Sequence, residues 1–310
     1  MREYRKMNVI LKTNNLTKRY KDLKALDNVS LTIYEGDIYG FVGENGAGKT
    51  TLIRAVSGLI FPSSGTYELG GVDYKDSEIA KVRGKMAAIV ESPALYLNMS
   101  AYNNMLMQAK LIGGVDPKEI DVILNDVGLG YLINSKKKAS NFSLGMKQRL
   151  AIAMALLNKP RFMILDEPMN GLDPEGIIEV RNLILKLNKT DKITFLISSH
   201  ILEELAKVCN RYGFIHKGKL IQEIGASDIG VFSEEHLKLK LNDNQKGYEL
   251  LKKDNEKVEL RDNYIYVFGK YEVNTIIEKL RKENLNILEI TTVKPSIEDI
   301  YLKVIGGKNV

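Results

Sequence analysis

Apolar residues recur in short runs up to about residue 225, within NVSLTIYEG, DIYGFVGE, KMAAIVES, RFMILDEP, KITFLISSH and RYGFIHKGKLIQEIG. Runs of this length, rich in Ile, Val, Phe and Tyr, predict β-strands. Several are apolar on both faces, which predicts a parallel sheet covered by helices rather than a sheet with one wet face. The texture changes over about residues 92–160. There SAYNNMLMQAKLIG, PKEIDVILNDVG and SNFSLGMKQRLAIAMALL carry apolar residues at helical spacing with no strand among them, so a helical insertion is expected.

From residue 229 the pattern changes again. LKLKLND, NQKGYELLKK, EKVELRD, YIYVFG, EVNTIIEKLRKENL and NILEITTV read as β-α-β-β-α-β, the ferredoxin-like order, and SIEDIYLKVI adds a terminal helix after Pro295. Two domains are expected: an α/β domain over residues 1–228 and a small α+β domain over residues 229–310.

Composition narrows the class. With 310 residues, 44% hydrophobic and 27% charged, the chain reads as an ordinary soluble globular protein with apolar mass enough for both domains. The basic start MREYRK is followed by too short an apolar stretch for a secretory signal. The longest apolar run, residues 150–157, falls far short of the ~20 residues a membrane-spanning helix needs. A single cysteine, Cys209, cannot form an internal disulfide, which fits a reducing cytoplasm. The net charge of +6 suits nucleic acid, an anionic membrane face or a nucleotide, and does not choose among them.

The choice comes from GENGAGKTT, residues 43–51, which fits G-x-x-x-x-G-K-[ST] and lies between an expected strand and an expected helix. Glycines at 43, 46 and 48 let successive backbone N–H groups point inward around an anion. Lys49 would reach β- and γ-phosphates, and Thr50 could ligate Mg²⁺. FMILDEP ends a buried strand in two adjacent carboxylates, an arrangement with no packing rationale. Asp166 would hold Mg²⁺ and Glu167 would polarise an attacking water as general base. TFLISSH ends another strand at His200, at the carboxyl edge where such sheets bind ligands, so His200 could touch the γ-phosphate and position water.

In this order the motifs resemble the ATP-binding subunits of ABC transporters over residues 9 to about 225. The resemblance implies a P-loop NTPase core of the ABC-ATPase kind, with a mixed sheet and a helical subdomain. Gly43, Glu44, Asn45, Gly46, Ala47, Gly48, Lys49, Thr50 and Thr51 would then enclose the phosphates of ATP, and Tyr20 in LTKRYKDLKAL would stack on adenine. FSLGM stands where the family has LSGGQ. Ser143 and Gly145 match, whereas Phe142, Leu144 and Met146 depart from the commonest form. In the family this signature helix covers the γ-phosphate held by a second subunit, which implies a homodimer closed by ATP. NGLD, residues 170–173, would communicate across that dimer, with Gly171 replacing a commoner alanine, and His200 is the switch histidine.

After KMAAIV the family normally carries glutamine; here the residue is Glu91. An ionised carboxylate accepts but cannot donate hydrogen bonds, so Mg²⁺ coordination is its expected role. A glutamate there, the chain length and the ending SIEDIYLKVI are similar to ATPases serving bacitracin-export and lantibiotic-immunity transporters. This implies a peripheral subunit on the cytoplasmic face of the membrane, working with a separately encoded permease and not with nucleic acid. The apolar stretch around Pro93–Leu97, with Met99, Met105 and Met107, is placed where the family receives a coupling helix of the permease. Lys136, Lys137 and Lys138 read as a solvated loop. The alternatives are the ATPase of another ABC-2 exporter, a soluble ABC mechanoenzyme acting on nucleic acid or ribosomes, and a P-loop kinase. The mechanoenzyme would need a duplicated cassette or long heptads, and the kinase has no use for FSLGM and NGLD.

Overall fold

The computed structural model describes residues 8–228, 235–253, 257–269, 271–293, 297, 300 and 301. The start MREYRKM and most of the expected helix in SIEDIYLKVI lie outside these residues. The chain divides into two compact units, residues 1–226 and 227–310.

The first unit opens with β1 (Val9–Tyr20), β2 (Leu23–Val29) and β3 (Thr32–Tyr34). The sequence pattern joins NVSLTIYEG into one strand; the structure breaks it. Asn28 takes a left-handed φ of 54°. The buried Thr13 hydroxyl then donates to Val29 O at 3.0 Å and accepts from Leu31 N–H at 2.9 Å, filling the gap in the ladder. β1 itself is not anticipated by the pattern. Its Asn and Lys residues dilute the apolar signal, and register shifts in its pairings with β2, β3 and β5 spoil any strict alternation.

The chain continues through β4 (Ile38–Val42), α1 (Lys49–Val56), β5 (Ser64–Leu69), β6 (Val72–Asp73), α2 (Ile79–Arg83) and β7 (Met86–Ile89). β1, β2, β3, β5 and β6 form an antiparallel sheet. The expected helical insertion follows as α3 (Ala101–Ile112), α4 (Pro117–Asp126) and α5 (Leu144–Leu156). Each helix starts at a capping side chain, Ser100, Asp116 or Ser143, that accepts a first-turn N–H.

Returning to the core, the chain forms β8 (Phe162–Asp166), α6 (Pro174–Asp191), β9 (Thr194–Ser199), α7 (Leu202–Ala206), β10 (Arg211–His216) and β11 (Lys219–Gly225). The second sheet runs β11-β10-β4-β9-β8-β7. Neighbours from β10 to β7 are parallel, and β11 is an antiparallel edge formed by the second half of RYGFIHKGKLIQEIG, which folds into a hairpin. β4, β8 and β9 are buried at every position, as their apolar runs predict. Leu11, Ile33 and Tyr67 of the antiparallel sheet pack with Leu52 and Ile53 of α1 over Phe41, Phe162 and Leu196. This core clamps α1 between the two sheets and fixes where its amino terminus points.

The second unit comprises β12 (His236–Leu241), α8 (Asn244–Lys252), β13 (Val258–Arg261), β14 (Tyr264–Phe268), α9 (Val273–Lys282) and β15 (Ile287–Val293). Its antiparallel sheet has the order β13-β14-β12-β15, which is the ferredoxin-like arrangement. Leu237, Leu239, Ile265 and Val267 meet Leu251, Ile276 and Leu280 of the two helices in a core of its own.

Candidate active site

β4 delivers the glycine loop. A Cβ at Gly43 would sit 2.4 Å from Ile215 O, so only glycine lets the chain pass β10 here. Gly48 caps α1 at φ 112°, a conformation closed to ordinary side chains. α1 therefore starts with its unpaired N–H groups around the loop, a natural anion cradle. Lys49 is buried, and its ammonium donates to Gly43 O at 2.6 Å and Glu44 O at 3.1 Å.

The two carboxylates arrive at the end of β8. Asp166 is buried and accepts a short hydrogen bond from the Ser198 hydroxyl on β9. Glu167 turns out of the strand at φ 51°, and its N–H is held by Ser198 O at 3.1 Å and Ser198 Oγ at 3.0 Å. Its carboxylate lies between two cationic or proton-bearing groups: Oε1 is 3.2 Å from Lys49 Nζ, and Oε2 is 2.8 Å from His200 Nδ1. Three residues scattered over 150 positions of chain thus form one constellation, with the acid held between the buried lysine of the glycine loop and the strand-end histidine.

Two clefts flank it. One, of about 660 Å³, contains Tyr20, Asn45, Gly46, Gly48, Lys49 and Thr50, so the tyrosine and the glycine loop face a common space. Leu23, Lys24 and Lys217 line the same space and carry no motif that would have marked them. The other, of about 400 Å³, joins Thr50, Glu91, Asp166 and Glu167 to Leu144 and Gln148 of α5. Glu91 reaches this cleft with a left-handed φ of 63°, yet its carboxylate is paired with Arg54 on α1, one turn beyond Thr50. Arg54 was not marked by the sequence pattern; its signal is the four-residue spacing from Thr50, which places both on one face of α1.

Ser143 and Gly145 line neither cleft. Ser143 is exposed and caps α5 by accepting from Met146 N–H at 3.2 Å. Gly145 packs on Gly176 of α6, where a Cβ would come within 3.3 Å of the Gly176 Cα. The departures at Leu144 and Gly171 belong together. A Cβ at Gly171 would lie 3.3 Å from Leu144 Cδ2, so the larger residue in the signature is matched by the smaller one in NGLD. Arg149, buried one turn on, donates to Val127 O and Gly128 O and pairs with Glu179, tying α5 to the end of α4 and to α6.

Next to Glu91, an apolar groove of about 440 Å³ is lined by Leu59, Met86, Ala94, Ile112 and Met154. Tyr96 and Leu97 are exposed beside it, whereas Met105 is fully buried in the core of the insertion.

Residues 26–170 match the ABC transporter family. Over 305 residues the chain is 43% identical to the bacitracin transport ATP-binding protein BcrA of Bacillus licheniformis, covering 97% of this chain and 99% of that one. The chain belongs to the ATP-binding subunits of ABC transporters. This ABC subunit is also 42% identical over 214 residues to the lantibiotic transport ATP-binding protein SrtF of Streptococcus pyogenes, covering 69% of this chain and 90% of that one. Among solved structures it resembles a dimeric ATP-binding cassette in a post-hydrolysis state with ADP and Pi, at TM-score 0.62 and 25% identity, over 70% of this chain and 98% of that one. It likewise resembles cbiO1 from Clostridium perfringens, part of the ABC transporter complex cbiONQ, at TM-score 0.64 and 28% identity, over 72% of this chain and 91% of that one. The subunit is an ATPase of this family, whose cassettes dimerise and pair with a transmembrane component. Among its described residues no helix is long and apolar enough to cross a membrane.

Proposed function

We propose that this subunit energises export of a peptide antibiotic of the bacitracin or lantibiotic type, conferring resistance or immunity. It would act as an ATP-closed homodimer on a separately encoded permease at the cytoplasmic face of the membrane. The observation that carries the reading is end-to-end likeness to BcrA, second unit included, together with Glu91 at the mouth of the cleft that holds the carboxylates.

ATP would lie across the first cleft with adenine on Tyr20 and its phosphates on the N–H groups of the glycine loop and α1. Lys49 would exchange Glu167 for the β- and γ-phosphates. The released Glu167 carboxylate then takes a proton from the attacking water, with His200 holding the water and γ-phosphate in line. The exposed Ser143 and the start of α5 would cap the γ-phosphate bound to a second copy. Magnesium fits the second cleft. Thr50 and Asp166 line it together, and a site with few protein ligands suits an ion that is shared with phosphate oxygens. When bound it would neutralise charge on the phosphates. Thr50 and Asp166 would hold it, and Glu91, which lines the same cleft, would join them once its carboxylate leaves Arg54.

The test is co-expression of the chain with its permease in a peptide-sensitive host. The inhibitory concentration of bacitracin or a lantibiotic should rise with the parent chain and return to baseline with Glu167→Gln. An active ATPase that gives no protection against any such peptide refutes the substrate assignment.

A further inference from the structure

β9 runs Thr194, Phe195, Leu196, Ile197, then Ser198 and Ser199, every position buried. A hydroxyl in so dry a strand is costly unless it is satisfied. Ser199 Oγ accepts from Ile201 N–H at 2.9 Å and so shapes the turn after the strand. Ser198 is used differently. It is fully buried, stands directly opposite Asp166 in the parallel ladder, donates to Asp166 Oδ1 and accepts from Glu167 N–H. One hydroxyl therefore touches both consecutive carboxylate residues, fixing the side chain of the first and the backbone of the second.

We infer that Ser198 is a positioning residue for the hydrolytic site, orienting Asp166 toward the metal and holding Glu167 in its left-handed turn. The inference rests on the assignment of Asp166 as the metal-holding carboxylate. With Oδ1 accepting from the hydroxyl, Oδ2 keeps its full acceptor capacity for a cation in the cleft that Asp166 shares with Thr50. Tilting the carboxylate out of its plane would break the bond to Ser198, so the hydroxyl fixes the plane of the group before any ligand arrives. The amide bond at Glu167 does the same for the base, because the strained φ of 51° persists only where surrounding groups hold it. Outer partners of metal-holding groups commonly control metal affinity by about 10- to 100-fold.

The experiment compares the parent, Ser198→Ala and Ser198→Thr in the full chain. Two readouts are taken: affinity for ATP in EDTA by fluorescent-nucleotide displacement, and Mn²⁺ bound in the presence of ATP by electron paramagnetic resonance. The expected result is that Ser198→Ala keeps the metal-free ATP affinity and weakens Mn²⁺ binding about tenfold or more, while Ser198→Thr, which retains the hydroxyl, stays near the parent. The inference is overturned if Ser198→Ala binds Mn²⁺ like the parent. It also falls if Ser198→Thr is as impaired as Ser198→Ala, or if metal-free ATP affinity drops in step with Mn²⁺, since either result marks a packing effect. A parent chain that itself shows no ATP-dependent Mn²⁺ binding instead refutes the metal assignment on which the inference stands.

Discussion

Replacing Glu167 by glutamine should tighten ATP binding and stall hydrolysis together, and the structure sets the size of both effects. Lys49 and Glu167 are 3.2 Å apart, with Glu167 keeping 20% exposure. Two unit charges at that distance attract by about 5 kcal/mol at an effective dielectric near 20. Desolvation offsets much of this, leaving about 1.5–3 kcal/mol, the usual net worth of a hydrogen bond to a charged group. An incoming triphosphate must displace the carboxylate from Lys49 and also approach its negative charge. Glu167→Gln removes both obstacles, so ATP affinity should rise about ten- to hundredfold, each factor of ten corresponding to ~1.4 kcal/mol. The amide cannot accept the proton of water, so turnover should fall by about 10²–10⁴. Fluorescent-nucleotide titration and phosphate release on the same preparation check both numbers. ATP affinity equal to or below that of the parent would show that Glu167 does not compete for Lys49, and turnover at the parent rate would show that another base operates.

Lys49→Ala should weaken ATP binding at least thirtyfold, because the ammonium that spans Gly43 O, Glu44 O and the phosphate position is lost; unchanged affinity in the same titration removes the glycine loop from the site. Ser143→Arg should abolish ATPase activity while each monomer still binds nucleotide, and Ser143→Asn, which keeps a cap, separates that loss from the ~0.5–2 kcal/mol a missing cap costs in a thermal melt. Glu91→Gln should leave stability within about 1 kcal/mol, since its partner Arg54 and Glu91 are 40% and 61% exposed, yet it should reduce peptide protection in cells; full protection would assign Glu91 no functional part. Burial pushes the Cys209 thiol and the Tyr39 and Tyr67 phenols above their ordinary values of 9.0 and 10.0. The unfolded chain therefore releases these protons while the folded one retains them, so stability is full below about pH 9 and declines as pH rises further. Melts from pH 7 to 10.5 should show this, with the onset in Cys209→Ala displaced toward pH 10.

The parts of the site legible in the sequence are those whose chemistry is local. GENGAGKTT forms a turn and helix start from neighbouring residues, and FMILDEP joins a buried strand to two carboxylates, so Lys49, Asp166 and Glu167 are readable without knowing what packs on them. The βαββαβ order of the second unit was likewise carried by short-range periodicity. β1 was not legible, because its burial comes from three partner strands met at shifted registers rather than from its own alternation. Ser198 and Arg54 gave no signal either: a serine in an apolar strand and an arginine on a helix gain meaning only from Asp166 and Glu91, which lie 32 and 37 residues away.

The sequence by itself determined the chemistry offered, a glycine-rich loop with free N–H groups, a lysine, two carboxylates and a histidine at strand ends, because hydrogen-bonding capacity, charge and backbone freedom belong to each residue type. Only the tertiary structure decided that Glu167 stands between Lys49 and His200, that Glu91 is held by Arg54 and that Leu144 fits against Gly171. Those are distances between segments remote in sequence, set by the order of strands in the sheet and the packing of helices upon it, which no local pattern encodes.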